Sequence, residues 1–507
     1  MKKFLALLLT AACLMSMFSF ANADDMKNVD AYNWYEIFVY SYQDSNGDGV
    51  GDLVGLYNRL DYIHEMGFNG IWLMPIMPSP SYHKYDVKDY MNVDPAYGTL
   101  EDMKKVVDRC HELGIRIIID MPLNHTSTRH PWFLNAVESL QKRTEDSPYL
   151  SYYQFSKEQL PQYVPLNGTK WYYEEQFAGG NMPDLNLENP AVMAEIKKIF
   201  AFWLEDVDVD GFRLDAVTSY VASNTNRNIS ILNQLKWMAE EIKPGSYLVG
   251  EAWTGLNNIA AYYESDIDSF FLFPVSQAEG IVVKAMLARS NPAANFKKQM
   301  EAVYHAIPDG VLAPFLCNHD TGRAVVALQA RQNPARVKFA HGLVNMLGGN
   351  TFTYYGDEIG MVGSGEDPNK RLAMYWNDND MTMQPPGVTK VEYAYPSVEE
   401  QMEDEASILN YVKEMNRLKL QYPIIARGEN EFVYSDAYVC VMKRTLNGES
   451  VYIAVNFSGS KTQQFTLSGE TLRICAELEA GEEKASFVSD EQGTAFTLPA
   501  YAIVVIN

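Results

Sequence analysis

From about Asn33 onward, short runs rich in β-branched and aromatic residues alternate with stretches whose apolar residues recur at helical spacing. "WYEIFVYS" is followed by "LVGLYNRLDYIHEMG", "GIWLMP" by "LEDMKKVVDRCHELG", and then comes "IRIIID". In the first of these helical stretches Leu53, Leu56, Tyr57, Leu60, Ile63 and Met66 share one face, which lets the helix pack on a sheet. Strands alternating with such helices imply a parallel sheet. After a gap the pattern resumes with "VDGFRLD", "SYLVGEAW", "DSFFLFP", "GVLAPFLCNHD" and "NTFTYYGDE". Three strands plus five make eight, the number that closes an α/β fold into a (β/α)8 TIM barrel.

Two other textures flank or interrupt this pattern. Between Met121 and about Glu188 lies a Tyr-, Trp- and Asn-rich stretch, expected as an inserted irregular domain after the third strand, over the barrel mouth. From about Glu429, alternating runs separated by Asn-Gly and Ser-Gly turns predict a C-terminal antiparallel β-sandwich domain. The expected division is therefore a catalytic barrel over 24–120 and 189–425, an insert over 121–188 and a β domain over 429–507, with Ile408 to Leu420 as the last barrel helix.

The N-terminus carries Lys2 and Lys3, an apolar run from Phe4 to about Phe20, and Ala21-Asn22-Ala23. This reads as a signal peptide over 1–23 cleaved after Ala23, so a secreted or periplasmic protein is expected. Lipoprotein attachment at Cys13 competes, but Thr10 stands where an aliphatic residue belongs and the apolar run continues past Cys13. No later segment reaches the roughly 18 consecutive apolar residues of a membrane helix. A monomer is expected. Cys110, Cys317, Cys440 and Cys475 remain after cleavage, with no C-x-x-C pair; buried free thiols are the default, with a Cys440–Cys475 pair left open. With 65 Asp+Glu against 41 Lys+Arg, the net charge of −24 would repel phosphate backbones, which argues against a nucleic-acid partner and for an uncharged substrate.

In such a barrel, polar residues at the C-terminal ends of strands converge on one site. The third strand ends in Asp120 with His125 just beyond, the fourth in Arg213 and Asp215, the fifth in Glu251 and the seventh in Asn318-His319-Asp320. A single acid there could merely cap the next helix. Four strands ending this way point to chemistry, and paired carboxyls are the minimal equipment for cleaving a glycosidic bond. Gly-x-Ser-x-Gly, His-Glu-x-x-His and a Gly-rich phosphate loop are all missing from the sequence, which removes support from serine hydrolase, zinc protease and nucleotide-dependent chemistry.

"GIWLMP", "DMPLNH", "MPDLN", "GFRLDAV", "GEAW" and "FLCNHD" occur here in the order in which they mark the α-amylase family of glycoside hydrolases (family 13), which the chain resembles from about Trp34 to its C-terminus. It is similar to an intermediate group between the oligo-1,6-glucosidase-like and neopullulanase-like members. The resemblance implies roles. Asp215 would be the nucleophile, Glu251 the general acid and base, and Asp320 the stabiliser of an oxocarbenium-like transition state. Arg213 would hold Asp215, while His125 and His319 would donate hydrogen bonds to the sugar ring. Tyr85 would be the aromatic platform under the sugar, with His83 beside it, and Asp120 an organiser. Trp132, Trp171, Tyr172 and Tyr173 either line further subsites or are buried.

The loop after the first strand, Asp44-Ser45-Asn46-Gly47-Asp48-Gly49-Val50-Gly51-Asp52, carries oxygen-bearing side chains at alternate positions, which suits a hard cation. Its twelfth position is Gly55 rather than Glu, so it is no EF-hand. In relatives this loop is a calcium site, which implies Ca2+ on the Asp44, Asn46, Asp48 and Asp52 side chains and the Val50 carbonyl; a solvated turn without metal is the alternative. A second calcium found in many relatives uses a His where this chain has Ser219, so Asn124 is expected to make local hydrogen bonds instead.

Ala216, where α-1,6-specific relatives tend to carry Val, and export both lean toward polymers with α-1,4 bonds. The stretch Arg371 to Trp376 resembles one common in oligosaccharide-cleaving relatives and pulls the other way. The expectation is a retaining enzyme that cuts internal α-1,4 bonds of starch, glycogen or maltodextrins. The alternative is an α-glucosidase or transglycosylase acting on short malto- or isomalto-oligosaccharides. A non-catalytic binding protein on this fold would lack one of the three acids, and Asp215, Glu251 and Asp320 are all present.

Overall fold

The computed structural model describes residues 31–507 apart from 178, 223 and 470; the expected signal peptide and Cys13 lie outside the described residues. Seven strands form one parallel sheet: Asn33–Ile37, Gly70–Leu73, Arg116–Met121, Gly211–Leu214, Tyr247–Gly250, Ser269–Phe270 and Thr351–Tyr354. The last of these pairs with the first, so the sheet curls back on itself. The expected seventh strand survives only as single parallel bridges, Ala313 to Phe271 on one side and Phe315 to Phe352 on the other, and these close the ring. Pro314 explains the thin ladder. It has no N–H to give, and only its carbonyl takes part, accepting from Phe352 N at 2.9 Å.

The barrel interior fills with aromatic rings. Trp34 stacks on Tyr247 (5.0 Å between centroids) and on Phe352 (5.7 Å), and it has room because residue 70 is glycine: a Cβ there would sit 2.5 Å from the indole. Two residues on, the same strand face presents Glu36, paired in register with Trp72. Above Trp72 lies the Arg213 guanidinium, 5.2 Å from the ring centroid. The layer nearest the C-terminal strand ends is thus charged, on an apolar floor.

Helices cover the outside as their spacing predicts. Leu100–Glu112 starts at a capping box between Thr99 and Asp102 and buries Met103, Val106, Val107 and Cys110. The stretch expected as one helix after the first strand is two, Leu53–Asn58 and Leu60–Glu65, broken at Arg59, and Tyr57 is left exposed. The insert is more regular than its composition suggests. It holds the helix Pro131–Lys142, begun by a proline at its first turn, and a small antiparallel sheet of Phe155–Ser156, Tyr163–Pro165 and Tyr172–Glu174. The last long helix before the C-terminal strands is Ile408–Gln421.

From Glu429 the chain forms a five-stranded and a three-stranded antiparallel sheet. Alternation sorts the faces. Val439, Val441, Ala454 and Val504 meet Phe465, Phe496 and Leu498 between the two sheets, whereas Cys440, Met442, Ile453 and Val505 join the main core. All four described cysteines are free, so Cys440 and Cys475 do not pair. Among the described residues, no helix is long and apolar enough to cross a membrane.

Candidate active site

The strand ends bring the acids together as their positions imply. Asp120 and Arg213 are register partners on neighbouring strands, and Arg213 Nη1 donates to both Asp120 oxygens (2.9 and 3.0 Å) and to Asp215 Oδ1 (2.5 Å). Its other arm, Nη2, lies 3.1 Å from Glu251 Oε2. One fully buried guanidinium therefore hydrogen-bonds Asp120 and Asp215 and lies within ion-pair distance of Glu251. After Asp215 the backbone turns left-handed at Ala216 (φ 48°), which aims the Ala216 N–H at Glu251 Oε2, 3.0 Å away. A β-branched residue would be strained at that position.

Asp215, Glu251 and Asp320 all line a cavity of about 380 Å3, together with His83, Tyr85 and His125. Burial, reinforced by the charges of Asp215 and Asp320 and opposed by Arg213, pushes the Glu251 carboxyl up to about 8. Burial works against ionisation of Asp320 too, but His319 and Arg371 outweigh it and hold that carboxyl well below the usual range. Two acids with divergent proton affinities thus face one cavity. Asp120 is fully buried behind them and does not line it; burial, against the pull of Arg213, raises its carboxyl to about 7.

Tyr85 offers its ring to the cavity while its hydroxyl donates to Asp120 Oδ2 (3.0 Å) and meets His319 Nε2 (2.6 Å). His125 lines the cavity with a buried Nε2 that has no protein partner, and burial lowers its pKa, leaving a neutral ring suited to a sugar hydroxyl. His83 is anchored through Nδ1 to Ser81 Oγ and Tyr85 N, each 3.2 Å away; burial, then Arg371, pushes it down to about 4. His319 is the expected sugar contact that the fold keeps off the cavity wall: it is fully buried, with Nδ1 on Glu36 and Nε2 on Asp320 and Tyr85.

The sequence assigns several wall residues no contact in the site, although Arg371, Trp253 and Met182 lie in stretches that it singles out. Arg371 Nη2 donates to Asp320 Oδ1 (2.7 Å) and its Nε to the His319 carbonyl (3.1 Å). Trp253, inside the "GEAW" motif, is half exposed and stacks on Phe273 at 4.9 Å. Phe177 and Met182, the latter the first residue of "MPDLN", reach in from the insert. Of the aromatics left open, Trp132 packs on His130 and Tyr152, Tyr173 is buried against Phe133, and Trp171 lies under Lys157; none of these, nor Tyr172, lines the cavity.

The loop from Asp44 to Asp52 curls on its own side chains. Asp44 accepts from the backbone N–H of Asn46, Gly47 and Gly49, Asn46 from Asp48, and Asp48 from Val50. Asp52 caps the helix at Leu53 through Gly55 N and holds Ser45. Among the described residues no three acidic, His or Cys side chains cluster as metal ligands do. The Asp44, Asn46, Asp48 and Asp52 side chains and the Val50 carbonyl supply oxygen donors only, from one short loop, which fits Ca2+ in donor chemistry. Asn124 makes the expected local bond, donating to Asp184 Oδ1 at 3.0 Å, and burial raises that carboxyl to about 8.

A family model described as the α-amylase catalytic domain matches residues 36–428. Alpha-amylase 3 of Dictyoglomus thermophilum is 35% identical over 444 residues, covering 84% of each chain. An oligo-1,6-glucosidase of Parageobacillus thermoglucosidasius is 27% identical, covering 88% of this chain and 92% of that one. Among solved structures, Eubacterium rectale Amy13B superposes with a TM-score of 0.89 at 41% identity, covering 94% of this chain and 95% of the other.

Proposed function

The chain belongs to the α-amylase family of glycoside hydrolases, and on that premise we propose that it cuts internal α-1,4 bonds of starch, glycogen or maltodextrins with retention of configuration. The supporting observation is Trp253. It walls the catalytic cavity on one side and, on the other, a second cavity of about 520 Å3 lined by Phe273, Gln277 and Gln299. A glucan chain that continues past Glu251 has an aromatic face and amides to lie against, as internal cleavage requires. A pocket sealed at the bond would favour release of terminal units.

In the proposed mechanism Glu251, protonated at neutral pH by its burial, gives its proton to the glycosidic oxygen as Asp215 attacks the anomeric carbon. Arg213 keeps the attacking oxygen on line. The leaving chain departs, and Glu251, now a carboxylate, takes a proton from the water that releases the glycosyl group from Asp215. Asp320, kept anionic by His319 and Arg371, stabilises positive charge developing on the ring, and His125 Nε2 hydrogen-bonds a sugar hydroxyl. Calcium, where bound, would brace the loop through Asp44, Asn46, Asp48, Asp52 and the Val50 carbonyl. The N-terminal 23 residues support export, and a mature protein beginning at Asp24 by mass spectrometry is the expected result.

Arg371 and Asp367 in the cavity wall favour the second possibility, action on short oligosaccharides. Maltoheptaose separates the two. A spread of maltooligosaccharides, displaced toward the chain ends by Trp253→Ala, supports internal cleavage; glucose released singly from one end refutes it.

A further inference from the structure

Glu36 is the fourth residue of the first strand, far in sequence from every residue that lines the catalytic cavity, and it does not line that cavity itself. It is nonetheless 1% exposed and points to the top of the barrel interior. Its Oε1 lies 2.5 Å from His319 Nδ1 and also accepts the His319 backbone N–H at 3.4 Å. The far side of the same ring meets Asp320 Oδ2 at 3.1 Å and the Tyr85 hydroxyl oxygen at 2.6 Å. Tyr85 spends its own proton on Asp120, so toward His319 its oxygen is an acceptor. Both ring nitrogens of His319 therefore face acceptors, and the hydrogen bonds require a proton on each.

We propose that Glu36 is a positioning residue that keeps His319 doubly protonated, so that a buried carboxylate–imidazolium–carboxylate relay holds Asp320 anionic beneath the sugar. This rests on the role given to Asp320 under Proposed function. The charges around the ring are accounted for from each side: Glu36 on the first strand, Asp120 and Arg213 behind Tyr85 on the third and fourth, Asp320 and Arg371 at the mouth. Trp72 packs edge-on against the ring at 5.7 Å and excludes water from below. Burial opposes the charge on His319, and Asp320 with Glu36 overcomes it, raising the imidazole to about 10. One carboxylate without the other would leave a buried cation half compensated, a costly arrangement.

Glu36→Gln tests this directly, because the amide oxygen still accepts from Nδ1 while the charge is gone. The readout is the pH profile of kcat/KM for α-maltosyl fluoride, whose leaving group departs without help from Glu251 and so removes that acid from the basic limb. In the native enzyme the limb is expected near pH 10. In Glu36→Gln it should move down by roughly 1–3 units, the usual effect of one neighbouring opposite charge, and Glu36→Asp should restore most of it. Identical limbs in native and Gln proteins, both folded by circular dichroism, overturn the proposal. If the Gln protein does not fold, the Asp variant decides: a limb that leaves the native value even though the charge is kept also overturns it. Asp320→Asn serves as the control: if it retains full activity, the assigned role of Asp320 fails, whereas an inactive Asp320→Asn with an unshifted Glu36→Gln profile sinks this inference alone.

Discussion

Replacing Glu251 by Gln removes a proton and leaves most contacts in place. The amide oxygen can keep the Ala216 N–H (3.0 Å), and the Arg213 hydrogen bonds to Asp120 and Asp215 do not involve residue 251, so the strand end and the guanidinium clamp should hold. With the native carboxyl pushed up to about 8, roughly nine-tenths of it is protonated at pH 7. The native enzyme therefore enters the reaction with its acid loaded, and the variant has none. General acid catalysis contributes about 10²–10⁴-fold, or about 3–5 kcal/mol of barrier. The assay is kcat/KM on maltoheptaose beside kcat/KM on α-maltosyl fluoride. Loss on maltoheptaose should fall in that range, and loss on the fluoride should be under about tenfold, since fluoride leaves unaided. Equal losses on both substrates would show that Glu251 does not protonate the leaving group, and no loss on either would remove it from the mechanism.

Asp215→Gly should be inactive on starch, and azide should revive turnover of α-maltosyl fluoride to give a β-glycosyl azide by NMR; an α product would place the nucleophile elsewhere. Chelation should lower the melting temperature measured by calorimetry, and Ca2+ at about 100 times its Kd should return about 2.7 kcal/mol; Asp48→Asn should lose this response together with terbium luminescence, and a native protein indifferent to chelator refutes the site. Glu358 is fully buried, its Oε1 shared by Tyr35 and Tyr62 and its Oε2 without a partner, and burial raises it to about 7 from 4.5. A raised acid contributes stability that is complete below its unfolded pKa and is lost as pH rises through the folded one. The native protein should therefore lose on the order of 3 kcal/mol between about pH 4.5 and pH 7 through this group, and Glu358→Gln should abolish that slope in urea melts. Parallel slopes in the two proteins would refute the assignment.

Export is proposed from the pattern of residues 1–23 alone, and its test is chemical. The barrel, by contrast, could be read from local pattern alone. Most of its strands and helices declare themselves through spacing and β-branched content, and Asp215, Glu251 and Asp320 sit where strand ends must converge. The same local signals explain the misplacements. Aromatic content in the insert does not say which way a ring faces, so Trp132 and Trp171 are equally consistent with a subsite and with a small core until Tyr152 and Lys157 are seen against them. A helical stripe does not reveal a break at Arg59, and a strand-like run does not reveal that Pro314 starves the ladder of a donor.

Order along the chain thus determined the barrel, the β domain and the strand-end positions of Asp215, Glu251 and Asp320. Closure of the ring decided the electrostatics. Glu36 meets His319 across 283 residues and Arg371 meets Asp320 across 51, pairings that no local spacing encodes. The proton affinity of Glu251 likewise comes from the depth at which neighbouring strands bury it and from the single guanidinium it shares with Asp215. Charge and burial act through space, and space is assigned only when the first and eighth strands join.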